Sequence, residues 1–422
     1  MDDLIVNVKI WDRLVGALIW DKNKNVASFQ FEPKFLRAGL DVSPIVMPLK
    51  KSSKDTVYQF LGNRNECFKG LPGLIADSLP DKYGNKIIDE WFAAHGLMGE
   101  EITPLDRLCY MTAPHRMDLM VSAMEKNGRW NCNQHCLHCY AAGQTYSNVQ
   151  ELGTADWKRV IEKCQKARIP QLTFTGGEPT MREDLFELLK EARWFITRLN
   201  TNGIKLTREY CEKLREAELD NVQITFYSQD AEIHNKLTGA LQYDKTVEGI
   251  KNALEAGLSV NVNTPLCAWN ADYVETVKFL KSLGVTYVTC SGLIPAGNAV
   301  TDDSQNTRLS KEEIQKAVAD AASYCWEHGM ELSFTSPGWI EEKDLREMGL
   351  EVPSCGAALS NMAVAPDGTV VACQSCLDRE NFGNILTAKW KDIWEHPDCR
   401  KYREFSAQMK QECPLGKEEN HG

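Results

Sequence analysis

Three cysteines stand in the run Trp130-Asn131-Cys132-Asn133-Gln134-His135-Cys136-Leu137-His138-Cys139-Tyr140, spaced C-x3-C-x2-C. That spacing wraps one turn of backbone around a metal site but supplies only three thiolates. A cuboidal 4Fe–4S cluster normally takes four cysteine ligands, so three leave one iron open. An open coordination position is what separates a reactive metal site from a structural one. Two plainer readings compete. One is a zinc knuckle with His135 or His138 as fourth ligand. The other is a set of buried thiols, since free cysteine is among the most buried residue types.

A second motif, Gly176-Gly177-Glu178-Pro179, directly follows the apolar run that ends at Thr175. Glycines let backbone approach a ligand closely, and a carboxylate beside them accepts hydrogen bonds from an ammonium group. Alone, these four residues read as an ordinary strand-to-helix turn. Together with the cysteine run, whose third cysteine is followed by Tyr140, they resemble the radical S-adenosylmethionine (SAM) enzymes. The resemblance implies a cluster on Cys132, Cys136 and Cys139 whose open iron chelates the amino and carboxylate groups of SAM. It implies that an electron from the cluster cleaves the sulfonium to a 5′-deoxyadenosyl radical, which abstracts hydrogen from substrate. It places Gly176, Gly177 and Glu178 at the SAM amino group and Asn202 and Thr225 at ribose and carboxylate. Asn263 lies on the next strand, and Tyr140 near the adenine. Asp230, Glu232 and His234 are chemically suggestive, but acidic residues also favour a helix N-terminus, and no catalytic acid or base is assigned.

Five of the fifteen cysteines lie between Cys355 and Cys413. Cys355, Gly368 and Cys373 form C-x12-G-x4-C, with Pro366-Asp367-Gly368-Thr369 as a hairpin turn between apolar strands. With Gly383-Asn384-Ile385 and Trp394, this resembles the start of a SPASM or twitch domain. The resemblance implies one auxiliary iron–sulfur cluster, with Cys355, Cys373, Cys399 and Cys413 as ligands and Cys376 as the alternative fourth. Cys67, Cys109, Cys164, Cys211, Cys267, Cys290 and Cys325 mostly sit in apolar patterns and read as core, with Cys267 and Cys290 near the active face.

What must position these residues is a repeated strand, loop and helix. Apolar strands fit Leu119–Ala123, Leu172–Thr175, Ile196–Asn200, Val222–Phe226, Val260–Asn263 and Tyr287–Cys290. Helical spacing joins Trp157, Val160, Ile161, Cys164 and Ala167, and again Leu185, Leu188, Leu189 and Ala192. Further helices fit Asp244–Ala256, Asp272–Leu283 and Ser310–His328. Six strands alternating with helices imply a parallel sheet with right-handed crossovers, in an α/β partial (β/α)6 barrel. The motifs fall at the carboxyl ends of those strands, the face on which barrel active sites are built.

Residues 1–111 read as a small α+β domain. Strands fit Val6–Ile10 and Val15–Trp20 around the Asp12-Arg13 turn, then Val26–Phe31. Helices fit Asp81–His95 and a segment starting at Thr103-Pro104. The runs from Trp11 to Trp20, Phe68 to Asp81 and Ile102 to Leu108 resemble the N-terminal domain of HipA-type toxin kinases. That resemblance stops at Met111 and does not imply kinase activity. It implies a HipA-type kinase or a substrate peptide as partner for residues 1–111. The barrel then occupies 112–336 and the iron–sulfur domain 337–422.

The 422 residues carry a net charge of −11, which argues against a nucleic-acid groove, since phosphate binding wants a basic face. No run of eighteen apolar residues predicts a membrane helix, and the opening Met1-Asp2-Asp3 lacks a signal-peptide pattern. The cysteines therefore read as reduced and the setting as cytoplasmic. The expected function is radical modification of a peptide or protein side chain, fed by an electron donor such as flavodoxin or ferredoxin. The alternatives are a small-molecule substrate of tetrapyrrole or sugar type, or a HipA-partner binding module with a non-essential barrel.

Overall fold

The computed structural model describes residues 5–10, 13–37, 42–43, 46–64, 68–76, 112–408 and 412–415. The helices expected at Asp81–His95 and from Thr103 lie outside them, as do Trp11, Asp12, Cys67 and Cys109. The chain forms two compact units, Met1–Ala113 and Pro114–Gly422.

In the first unit, β1 (Ile5–Ile10), β2 (Arg13–Asp21), β3 (Val26–Phe31) and β4 (Val57–Gln59) pair antiparallel in that order. The three strands expected from alternation are present, and β4 is a fourth that the sequence did not announce. Leu18, Phe29, Phe31 and Phe35 are buried. Phe29 meets Phe31 edge to face at 4.9 Å, a favoured aromatic geometry.

The second unit is built on a ten-stranded sheet. The six expected strands are β5 (Arg116–Ser122), β8 (Gln171–Gly176), β9 (Ile196–Thr201), β10 (Asn221–Thr225), β11 (Ser259–Pro265) and β12 (Tyr287–Ser291). They lie side by side in chain order, all parallel. Between them run helices such as Thr154–Lys166, Arg208–Glu216, Tyr243–Glu255 and Tyr273–Ser282. Right-handed crossovers place such helices on one face. Trp157, Val160, Ile161 and Cys164 are the buried stripe of the first, as their 3.6-residue spacing requires.

The sheet is longer than the six strands expected. β13 (Glu331–Phe334) extends it beyond β12. At the other end β14 (Asn361–Val364) pairs parallel with β5, followed by antiparallel β15 (Thr369–Val371) and β16 (Asn381–Asn384). The C-terminal cysteine region is thus a continuation of the same sheet. A short hairpin, β6 (Glu125–Lys126) and β7 (Arg129–Trp130), leads into the first cysteine run. Its Asn127-Gly128 turn has φ of 53° and 71°, the left-handed pair that a tight hairpin demands.

Candidate functional site

The cysteine loop follows β5 and β7 and is fixed from several sides. At its base Asn131 Nδ2 donates to Glu151 Oε1 at 2.9 Å and to the Ala123 carbonyl at 3.1 Å. The helix Ala231–Thr238 backs it: His135 N donates to Thr238 O and Leu137 N to Leu237 O, both at 2.9 Å. A segment after β12 clamps the other side. Asn298 donates from N to Cys139 O at 2.9 Å and from Nδ2 to Cys136 O at 3.1 Å. Ser304 Oγ donates to Leu137 O at 2.8 Å. Thr307 Oγ1 donates to Ser304 O and so accepts from His138 Nε2 at 2.7 Å. Gly297 sits at φ 58°, and a Cβ there would lie 2.4 Å from Tyr140 O. No expectation included Asn298, Ser304 or Thr307.

The three thiols are partly buried and act on one another electrostatically. Burial pushes Cys132 up to about 12, with the Glu178 charge adding to it, and burial raises Cys136 and Cys139 too. These groups lose their protons when metal binds, which couples loading to pH. Among the described residues no three His, Cys, Asp or Glu side chains converge on one point where a single metal ion could sit. A zinc knuckle would take His135 or His138 as its fourth ligand. His135, offered for it, is exposed and stacks on Trp130 at 4.8 Å. In a cuboidal cluster each thiolate holds a different iron, and an all-thiolate donor set suits iron–sulfur chemistry. The residues fit the cluster.

Beside the loop, the Gly-Gly-Glu turn is shaped first by β5. Gly176 has φ 135°, and a Cβ on it would meet Ser122 O at 2.2 Å; one on Gly177 would meet Ala123 O at 2.9 Å. Glu178 is buried and its oxygens are occupied. Oε1 accepts from Thr180 N at 3.0 Å, Thr180 Oγ1 at 2.6 Å and Thr201 Oγ1 at 2.7 Å, while Oε2 accepts from Asn202 N at 2.8 Å. Burial raises its pKa, and these bonds oppose the rise. Asn202 Nδ2 in turn donates to Asn133 Oδ1, inside the cysteine loop, at 2.6 Å. The chain Glu178–Asn202–Asn133 ties the turn after β8, the end of β9 and the cysteine loop into one piece. Thr225 and Asn263 are register partners at the ends of β10 and β11, and Thr289 Oγ1 donates to Asn263 Oδ1 at 2.9 Å.

Tyr140 packs with Met120, Ala141, Val371 and Leu377, and its hydroxyl donates to Gln374 Oε1 at 3.3 Å. Its hydroxyl also lies within bonding reach of Thr175, just before the Gly-Gly-Glu turn, and the segment after Cys139 is bound to the C-terminal cysteine turn. Gln144 Nε2 donates to Ser375 O at 3.3 Å, and its Oε1 accepts from Leu377 N at 2.9 Å. The segment Asp230–His234 also resolves plainly. Asp230 caps the helix through Glu232 N and Ile233 N, Glu232 is exposed, and His234 is fully buried among Phe226, Tyr227 and Tyr243. Burial holds its pKa down to about 4.

Among the C-terminal cysteines, Cys376 and Cys399 differ in their surroundings. The Cys376 thiol shares a hydrogen bond with Cys373, which holds Cys373 down to about 7 and pushes Cys376 well up, and the charges of Cys355 and Cys413 also raise Cys376. Cys399 stands apart in the helix Pro397–Ala407, where its Sγ accepts from Arg403 Nη1 at 3.4 Å. Cys355, Cys373 and Cys413 are the cysteines whose charges bear on Cys376. Cys267 and Cys290 are fully buried, and Cys267 packs with Tyr227, Leu293 and Cys136.

Residues 131–280 match the radical SAM superfamily, 355–415 the SPASM iron–sulfur cluster-binding domain and 6–115 the HipA N-terminal domain. An AdoMet-dependent heme synthase of Oleidesulfovibrio alaskensis is 26% identical over 307 residues, covering 69% of this chain and 78% of that protein. Among solved structures, Streptococcus suis SuiB bound to S-adenosylmethionine has a TM-score of 0.59 at 14% identity, covering 90% of this chain and 88% of that one. The structure of anSMEcpe with bound AdoMet has a TM-score of 0.55 at 18% identity, covering 69% and 83%. These likenesses establish the fold. Residues 131–280 carry a radical SAM domain and residues 355–415 a SPASM domain, and with the three-thiol loop these matches mark a radical SAM enzyme. More particularly, it joins a radical SAM domain and a SPASM iron–sulfur domain to a HipA-type N-terminal domain, with an iron–sulfur cluster and SAM as cofactors. Among the described residues no helix is long and apolar enough to cross a membrane.

Proposed function

We propose that this enzyme modifies a peptide or protein side chain by radical chemistry. When bound, the cluster supplies the electron that cleaves SAM to a 5′-deoxyadenosyl radical. Cys132, Cys136 and Cys139 would hold that cluster, and Asn298, Ser304 and the Asn133–Asn202–Glu178 chain would keep their loop in place. Gly176, Gly177, Asn202, Thr225 and Asn263 border the space for SAM. Glu178 positions Asn202 instead of meeting the cofactor. Cys355, Cys373, Cys376 and Cys413 would hold one auxiliary cluster.

The observation that carries the peptide reading is a likeness spanning the chain's length. SuiB bound to its precursor peptide SuiA covers 90% of this chain, and anSMEcpe has been solved with bound AdoMet and a Kp18Cys peptide. A flavodoxin or ferredoxin suits the electron supply. Residues 1–111 suit a protein partner, either substrate or a HipA-type kinase. A reducing cytoplasm suits cysteine thiolates that hold iron–sulfur clusters.

The second reading, a tetrapyrrole substrate, is favoured by the heme synthase relative. An anaerobic assay separates the two. Iron-loaded enzyme with dithionite and SAM is offered short peptides encoded beside its gene, or porphyrins. A mass change in a peptide alongside 5′-deoxyadenosine release supports the proposal, and a change confined to a porphyrin replaces it. No 5′-deoxyadenosine from fully loaded protein would sink both.

A further inference from the structure

A buried amide touches both cysteine regions of the second unit. Gln144 lies five residues after Cys139 and is 4% exposed. Its Nε2 donates to the carbonyl of Tyr140, the residue next to Cys139, and to Ser375 O at 3.3 Å. Its Oε1 accepts from Leu377 N at 2.9 Å, across 233 positions of chain. Ser375 and Leu377 are the two neighbours of Cys376. Both N–H groups of the amide are thus used, and its carbonyl is held as well.

The contacts around Gln144 repeat the pattern. Tyr146 N donates to Leu377 O at 2.9 Å, Thr145 N to Asp378 Oδ1, and Asn381 Nδ2 to Tyr146 Oη at 2.6 Å. Ala141 and Leu377 share a buried cluster against which Cys132 and Cys139 pack. Cys376 N donates to Cys373 O at 2.9 Å and closes the C-terminal turn. On the other side of the catalytic loop, Asn298 N holds Cys139 O. The backbone at and just past Cys139 is therefore gripped twice, and one grip runs through the turn that carries Cys373 and Cys376. Apolar side chains would suffice for mere adhesion. A buried amide is stable only with its partners in place, so Gln144 holds both backbones to one arrangement.

We propose that Gln144 is a positioning residue that couples the two iron–sulfur sites, so that a chain holding one cluster binds the second more readily. Turns that carry metal ligands gain their order when metal binds. Whichever site fills first fixes its own turn and, through Gln144, the other turn, so the second loading loses less conformational freedom. Such coupling is reciprocal and commonly amounts to about 5–150-fold in affinity. The bonds of one amide place it near the low end, at about tenfold. Under excess iron either site still fills. When iron is scarce, the coupling makes chains load both sites or neither, whether the substrate is a peptide or a porphyrin.

The test is an anaerobic native mass spectrum of the full chain at half loading, approached both by adding iron and sulfide and by stripping with a chelator. With equal, independent sites, about half of the chains then carry one cluster of about four irons. Tenfold coupling lowers that share to about a quarter, which is the wild-type expectation. Gln144→Leu should return it to about half while both sites still load under excess iron. If Gln144→Leu does not load, Gln144→Glu takes its place. It keeps an acceptor for Leu377 N and loses both donors, and its share should also rise to about half. A residue that only stabilised the fold would lower the melting temperature of these variants and leave the share alone. A one-cluster share of half or more in the wild type would overturn the coupling. A share unchanged from wild type in the variants, or failure of both variants to load under excess iron, would overturn the role of Gln144.

Discussion

Replacing Glu178 with glutamine separates two roles for that carboxylate. In the structure it is a hub for four protein donors: Thr180 N, Thr180 Oγ1, Thr201 Oγ1 and Asn202 N. Glutamine keeps one oxygen for three of them and turns an NH2 toward the Asn202 N–H, donor against donor. A hydrogen bond to a charged acceptor contributes about 1.5–3 kcal/mol, and a stranded buried donor costs about 1–3 kcal/mol. The neutral side chain relieves the burial that raises the Glu178 pKa, which offsets part of the loss. The net expectation is a destabilisation of about 2 kcal/mol. Because Asn202 also holds Asn133 in the cysteine loop, iron retention should fall with it. Anaerobic urea unfolding and iron counting after desalting measure both. If Glu178 met the SAM ammonium directly, Glu178→Gln would leave stability and iron unchanged and weaken only SAM binding in equilibrium dialysis. That result would refute the positioning argument.

Gly297→Ala should displace the cysteine loop, since its Cβ would strike the carbonyls of Tyr140 and Cys139 at a positive φ; normal iron loading of the first site would contradict this. With Cys132, Cys136 and Cys139 all changed to alanine, about four irons should remain. In that background Cys376→Ser should lose them and Cys399→Ser should keep them, and the reverse pattern would restore Cys399 as ligand. Stability should also fall on acidification. His234 in the folded protein has its pKa held down to about 4, so the unfolded chain takes up a proton that the folded one refuses. Its contribution is fully present above about pH 6.5 and is lost as pH falls toward 4, by about 3 kcal/mol. His234→Phe should flatten the acid side of the midpoint-versus-pH curve, and an unchanged slope would speak against it.

The six barrel strands were legible because apolar runs of four or five residues recur between helical stretches at regular spacing. The site cysteines were legible because their ligand spacing is local. What escaped depended on distant residues meeting. Nothing near Asn298, Ser304 or Thr307 hints that they grip the carbonyls and the histidine of a loop far upstream. Tyr140 was aimed at the adenine from its place beside Cys139, and nothing there showed the binding of Gln144 to Ser375 and Leu377 that ties that stretch to the C-terminal region. Cysteine spacing put Cys399 ahead of Cys376 as fourth ligand, whereas the Cys373–Cys376 contact and the Arg403 bond to Cys399 favour Cys376.

The pairing of β14 with β5 has a consequence for how the enzyme is made. Arg116 lies opposite Asn361 in that ladder, so the strand that leads into the catalytic loop keeps one edge bare until residues 361–364 have been synthesised. Pairings of such long range are slow to form, and an open strand edge invites association with other chains. A nascent or truncated protein ending before Asn361 would expose that edge together with three unligated thiols. Iron delivery to the first site is then best timed after release, and C-terminal truncation should yield aggregates in place of a smaller working barrel.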